Sequence, residues 1–506
     1  MLCTLSLCLG GDPLFMWGAA AVDGLASLTD THRKRVLMAR LQVALPETFG
    51  GMGVTPLDLI HPAAYVASWL ETLRFLHAQE PAKAPLLSGL VEGVDLKRTT
   101  VQPLCELRLA WRTMVDFMGG DATALLKSLR VKSFSELASS KIRQPQRKLS
   151  VVLGQRQFHN LKLAAALVSE DDRRRLISCS GAGAAAWLRA APIGELQLSD
   201  LHWRLAANFW LGLPLACLGT CVDSLCSPTC QFRPDNMGHH EQACHHISKW
   251  PRHEAIVDVI LWACKQAGVE GRLWSRSRAG ISPELLDLLG DRMADLFLPD
   301  FRGIGLNCHL DMTVIHPLLR AYADIDYTSP GDAVTFVRAL AKYGLYCEFD
   351  HTRQELFIVF GAESYGAFSP DSVRFLNDFI IRAYVTNRGV NPDSSRGVAL
   401  ATKFRSQVFT RLSVAIHRAN ANCVIKAVQR RHPLNFDRLL KRVAAPAPPT
   451  SSRKRQAQGK RRARRTKKTR ARQEERVAPW LRDQGSASAA GGLAAPVPAA
   501  SVQTVD

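Results

Sequence analysis

Apolar residues recur at three- and four-residue intervals through most of the first 215 positions, the period of helices that bury one stripe. From Thr31 to Leu76 this pattern predicts helix, turn, helix. The turn is Phe49-Gly50-Gly51-Met52-Gly53-Val54, whose closely spaced glycines suit neither helix nor strand. Helical spacing resumes over Pro62–Leu70 and runs through 100–215, broken near Gly119-Gly120 and Pro192. Trp187, Leu188, Trp203 and Trp210 are the expected core anchors of this all-helical stretch.

Beyond residue 250 the period changes. An amphipathic helix is expected over 253–267, then short apolar strands at 294–298, 310–315 and 355–360. A helix at about 330–346 separates the last two strands, and helices follow at 370–385 and 400–430. Gly303-Ile304-Gly305 reads as a hairpin turn. The order α-β-β-α-β-α predicts an α/β core with one mixed sheet, and with the helical first half the chain is α+β. From Ala444 onward it turns Pro/Ala-rich, then Arg/Lys-rich, then Ala/Gly/Ser/Pro-rich, a composition expected to be disordered.

Composition sharpens this picture. With 506 residues, 47% of them hydrophobic, the chain can bury a large core. Of the net charge of +20, residues 453–476 supply +11 through thirteen Lys/Arg against two Glu. A basic body with an intensely basic tail favours a polyanionic partner, above all nucleic acid. The apolar N-terminus has no basic leader and is interrupted by Asp12, Pro13 and Asp23, so it does not read as a signal peptide. No run approaches the length of a membrane span. Most of the thirteen cysteines are scattered singly, as in a reducing compartment. Walker, Ser/His/Asp and dinucleotide-binding patterns are missing.

The exception to that scatter is Cys217–His246, which holds five cysteines and four histidines. Cys226-x3-Cys230-x9-His240-x3-Cys244 has spacings that can close tetrahedrally around Zn²⁺. The polar segment between the pairs has no apolar core, so a metal would supply its folding energy. His239 would serve with altered spacing, and Cys217 and Cys221 compete with Cys226. Farther on, Asp295 and Asp311 fall on adjacent predicted strands. An acid at a strand end is ordinarily a turn or cap residue, but Leu310-Asp311-Met312-Thr313-Val314 sets one inside an apolar strand, which is costly without a partner. Two such carboxylates can share a divalent cation. Lys342 could bring a cation near them, and Lys460–Lys468 fits a nuclear-import or nucleic-acid-binding run.

Several strings occur together in an order that resembles non-LTR retrotransposon proteins of the restriction-like-endonuclease class, downstream of the polymerase thumb. They are Gly50-Gly51-Met52-Gly53-Val54 with Pro62–Ser68, Ala184–Pro192, Leu211–Leu215, and Gly238-His239-His240-Glu241-Gln242-Ala243-Cys244. Arg252-His253-Glu254-Ala255 is similar to the opening of the family's nuclease helix. Ala294-Asp295 and Asp311–Val314 are similar to its acidic motifs, Lys342-Tyr343-x3-Cys347 to its lysine motif, and Arg411–Ile416 with Asn420-Ala421 to its closing helix. The resemblance covers about residues 30–430 and favours His240 as the zinc ligand. It implies a PD-(D/E)XK-type core in which Asp295 and Asp311 hold Mg²⁺, Lys342 orients the attacking water, and Glu254 adds a third acid. Thr313 stands where that superfamily usually has its lysine. The chain starts downstream of the polymerase palm, so autonomous retrotransposition is not implied.

The expected organisation is therefore a helical region at 1–215, a zinc knuckle at 216–250, a nuclease core at 251–435 and a disordered basic tail at 436–506. The expected activity is Mg²⁺-dependent nicking of DNA to leave a 3′-hydroxyl, in the nucleus and away from membranes. Element RNA and a separate reverse transcriptase are further candidate partners. The alternative is a nucleic-acid-binding protein of the same descent that does not cut.

Overall fold

The computed structural model describes residues 30–54, 57–82, 102–140, 142–215, 217–218, 230, 235–244, 246–273, 294–301, 303, 305–335 and 355–431. Its first half is helical: α1 (Thr31–Ala44), α2 (Leu57–Gln79), α3 (Gln102–Phe117), α4 (Ala122–Ser128), α5 (Phe134–Ser139), α6 (Pro145–Val168), α7 (Glu170–Cys179) and α8 (Asp200–Leu211). Local chemistry sets several of the boundaries. Asp30, Ser133, Ser169 and Ser199 each accept a backbone N–H of the helix they precede, satisfying donors that the first turn leaves open. Gly212, in the left-handed region, stops α8.

The glycine turn after α1 is fixed by close approach. A Cβ on Gly51 would fall 1.9 Å from the Leu45 carbonyl oxygen, so only glycine fits there. The Gly50 carbonyl accepts from Gln42 Nε2 at 2.9 Å and from Trp210 Nε1 at 3.0 Å, which ties the turn to α8. Trp187 and Trp210 are buried as expected, whereas Leu188 and Trp203 pack against the same cluster only partly covered.

The second half is built on a four-stranded mixed sheet. Helix α9 (His239–Ala243) and helix α10 (Trp250–Ala267) precede it. The strands are β1 (Arg272–Leu273), β2 (Leu296–Phe301), β3 (Leu306–Ile315) and β4 (Glu355–Glu363), in the order β1-β2-β3-β4. The first three run antiparallel, and β4 lies parallel to β3 from Asn307↔Glu355 to Ile315↔Glu363. Gly303 and Gly305, both at positive φ, turn the β2–β3 hairpin. The two-residue β1 gives too short a pattern to be read from sequence. The expected helix at 330–346 lies largely outside the described residues, as does the basic tail.

After β4 come α11 (Pro370–Arg374), a π-helical turn (Phe375–Ile381), α12 (Arg382–Thr386) and the long α13 (Ser395–Arg431). Helices α10 and α13 and the π turn cover one face of the sheet. Ile256, Ile260, Leu296, Leu310, Met312, Phe360, Leu376 and Phe404 share that core, and Ala186 of the helical half joins it. A second core gathers α2 through α6. Among the described residues no helix is long and apolar enough to cross a membrane.

A buried carboxyl joins the two halves. Glu363, at the end of β4, accepts from Ser178 Oγ of α7 and from Tyr327 Oη, each at 2.5 Å, and its Oε1 has no hydrogen-bond partner among the described residues. Burial pushes its pKa up to about 7, with Asp332 adding repulsion, while the two hydroxyl donors pull the other way. The folded chain therefore keeps a proton that the unfolded chain releases near the ordinary value of 4.5. The stability this proton gives is complete below that value and is lost as pH rises through about 7. Denaturant unfolding should show this part of the stability declining, on the order of 3 kcal/mol, between about pH 5 and about pH 8. Glu363→Gln should flatten the decline; an equally steep slope in the variant would count against it.

Candidate functional site

Two cysteines and a histidine, close together in sequence, meet at the start of the second half. Cys230 Sγ lies 3.8 Å from His240 Nε2 and 3.9 Å from Cys244 Sγ. Among the described residues, these form the group of three or more Cys, His, Asp or Glu ligand atoms lying within 4.8 Å of one another. The group could hold a metal ion. Cys226, expected as the fourth ligand, lies outside the described residues.

Helix α9 presents His240 and ends at Cys244, and Asp235 organises its start. The Asp235 carboxylate accepts the backbone N–H of Met237 at 2.7 Å, of His239 at 3.1 Å and of His240 at 2.8 Å. His240 is thereby aimed at Cys230. His239 instead turns toward Phe209 and His316, with ring centroids 6.3 and 5.4 Å away, and burial pushes its pKa down. The choice between the two histidines falls to His240. The signal for Asp235 was faint in sequence, since a lone Asp before a glycine-containing turn marks many loops.

The group is docked by the residues between its ligands. Glu241 makes a fully buried ion pair with Arg431 of α13 at 2.7 Å. Gln242 donates to the Asn420 carbonyl at 3.1 Å and accepts from Arg252 Nη1 at 3.1 Å; the same Nη1 donates to Asn420 Oδ1 at 3.2 Å. Cys423, Ile247 and Ala427 pack beside Cys230 and Cys244. Burial pushes the Cys423 thiol up, and Arg252, Lys426 and Lys249 oppose that shift.

The acidic pair lies at the neighbouring end of the sheet. Leu296 faces Leu310 across the antiparallel β2–β3 ladder, so Asp295 and Asp311 are the next residues along. Asp295 N–H donates to the Leu310 carbonyl at 2.8 Å, and its Oδ2 accepts the Met312 N–H at 2.5 Å. The Asp295 carboxylate thus rests on the peptide that follows Asp311. Asp311 itself is buried, alternating with Leu310 and Met312 of the main core.

Sequence reasoning missed a third participant. His253 Nε2 of α10 sits 2.9 Å from Asp295 Oδ2. Its neighbour Glu254 is exposed, and Asp295, Asp311 and Glu254 form no second three-ligand group among the described residues. Lys342 lies outside them. No protein-family model matches the chain, and no curated protein matches it.

Metal content separates the ligands from their neighbours. Purified protein should carry a metal ion that His240→Ala and Cys244→Ser each lose and His239→Ala keeps. Elemental analysis showing equal metal in His240→Ala and the parent chain would remove His240 from the set.

Proposed function

We propose that the chain is a metal-dependent endonuclease that nicks DNA to leave a 3′-hydroxyl, and that it descends from the post-polymerase part of a non-LTR retrotransposon protein. The observation that carries this reading is the Asp295 carboxylate lying on the Asp311–Met312 peptide at the end of β2 and β3. Two carboxylates flanked by backbone carbonyls are hard oxygen donors, the set that suits Mg²⁺. When bound there, the cation supplies an activated water and offsets charge on the leaving oxygen.

The residues divide the remaining work. His253 holds Oδ2 of Asp295, and Asp295 with Asp311 would supply the two carboxylates that hold the cation. Lys342 orients the attacking water or offsets developing charge, and Glu254 can add a third acid from α10. The Cys/His group is assigned to structural zinc, held by Cys226, Cys230, His240 and Cys244. Its 3.9 Å sulfur–sulfur separation agrees with the edge of about 3.8 Å that two tetrahedral Zn–S bonds of about 2.3 Å produce. Lys426 and Arg430, exposed one turn apart on α13, join the basic tail in contacting phosphates. The tail also supports nuclear location. Element RNA and a separately encoded reverse transcriptase fit the same descent.

A binding-only reading is favoured by two observations: among the described residues Asp295, Asp311 and Glu254 do not make a compact three-ligand set, and Thr313 occupies the usual lysine position.

Plasmid nicking with Mg²⁺ decides between them. Asp295→Asn and Asp311→Asn should each lower the rate by about two orders of magnitude or more while leaving zinc content and DNA affinity in place. Parent protein that binds plasmid without nicking it would leave the binding-only reading standing. Deleting residues 450–506 should weaken binding to all DNA sequences and reduce the steepness of its salt dependence, since each lost phosphate contact removes about 0.9 from the slope. An unchanged slope would place the DNA contacts elsewhere.

A further inference from the structure

The first turn of α10 carries a solvent-facing indole beside the acidic pair. Trp250 is 62% exposed and is the only tryptophan among the described large hydrophobic side chains that lie open to solvent. A single exposed apolar residue needs no explanation by itself. This one, however, is stacked on the His253 imidazole, with ring centroids 5.1 Å apart and planes at 18°. That imidazole is in turn held 2.9 Å from Asp295. One face of the indole is thus backed by an anchored ring, and most of its surface is open.

We infer that Trp250 is a stacking platform for an unpaired nucleobase of the DNA strand at the Asp295–Asp311 site. The inference rests on the nucleic-acid reading above and adds the form of the substrate: a strand with at least one base out of the duplex stack. Three features support that occupant over an apolar partner. The platform is backed by a polar ring at a carboxylate, a poor seat for an aliphatic side chain. Lys249 immediately precedes it, its ammonium donating to the Ala243 carbonyl, so one cation for a flanking phosphate is held at the start of the same helix. A base stacked on the outer face would extend the column already formed by indole and imidazole, with Asp295 at its far end. Stacking accepts any base, so the platform sets strand position without sequence choice.

The test uses the full-length, metal-loaded chain without added Mg²⁺, so that binding is read apart from cleavage. The probes are a single-stranded oligonucleotide containing 2-aminopurine, whose emission falls on stacking, and a duplex of the same sequence. Trp250→Ala should weaken single-strand binding by about 5- to 150-fold, the range expected for one stacked base, and abolish the emission change. Trp250→Phe should retain most of both, and duplex affinity should hold in either variant. Unchanged single-strand affinity and emission in Trp250→Ala would overturn the platform, as would equal loss toward single strand and duplex. Protein that quenches the probe yet never nicks would keep the platform and defeat only the nuclease reading.

Discussion

The Arg252 guanidinium, buried without an ion pair among the described residues, sets the geometry around which the second half is arranged. Burial lowers its pKa, so its charge is retained against desolvation by oriented dipoles, namely the amide oxygens of Gln242 and Asn420. Those partners belong to different elements. Gln242 lies between His240 and Cys244, and Asn420 lies far along α13. Asn420 also donates to the carbonyl of Ser364 just after β4, and Ser364 Oγ pairs with His316 Nδ1 just after β3. One hydrogen-bonded chain therefore runs from the Cys/His group through α13 to the ends of two strands. A substitution at Arg252 would strand two amides in a dry interior, where each unsatisfied group costs about 1–3 kcal/mol.

The Glu241–Arg431 pair extends the same logic to a full ion pair. Both groups are almost wholly inaccessible, and burial pushes the Glu241 pKa up while Arg431 opposes the shift. A pair so enclosed gives little net stability over well-packed apolar residues. Its effect is on register: a carboxylate one residue from His240 can be buried only where a guanidinium meets it, which specifies how α9 sits against α13. The Cys/His group is thus located by two polar residues between its ligands, Glu241 and Gln242, and the apolar patch of Cys423, Ile247 and Ala427 packs beside it.

Legibility in the sequence followed the range of the forces. Periodicity and turn residues revealed most of the described helices, the glycine turn and three of the four strands, because each depends on neighbours close in sequence, and the order of those elements implied the mixed sheet. The stretch at 370–385 reads as one helix, yet Phe375–Ile381 adopts π geometry, which carries no residue signature. The metal-ligand spacing singled out Cys230, His240 and Cys244, since ligands close together along a chain leave a countable pattern. His253 and Asp295 were unreadable as a pair: a histidine one turn into an amphipathic helix looks like any surface residue until the hairpin at 296–315 brings an aspartate to it. Arg252 was hidden for the same reason, its partners lying 10 and 168 residues away.

The start of α10 shows why a helix, rather than a loop or strand, joins the two chemistries. Successive helical residues point about 100° apart, so Arg252 leaves the turn on a different side from Trp250 and His253, whose rings stack on one face. Trp250 faces solvent, Arg252 enters the Cys/His dock, and His253 reaches the sheet end. A strand offers only two opposed directions, and a loop would hold them less rigidly. The turn begins without a side-chain cap, with Pro251 at its opening, and downstream Ile256, Ile260 and Cys264 fasten the same helix into the main core. The spacing between the Cys/His group and the acidic pair is therefore fixed by one rigid element. The two sites could drift apart only by unseating α10 from the sheet.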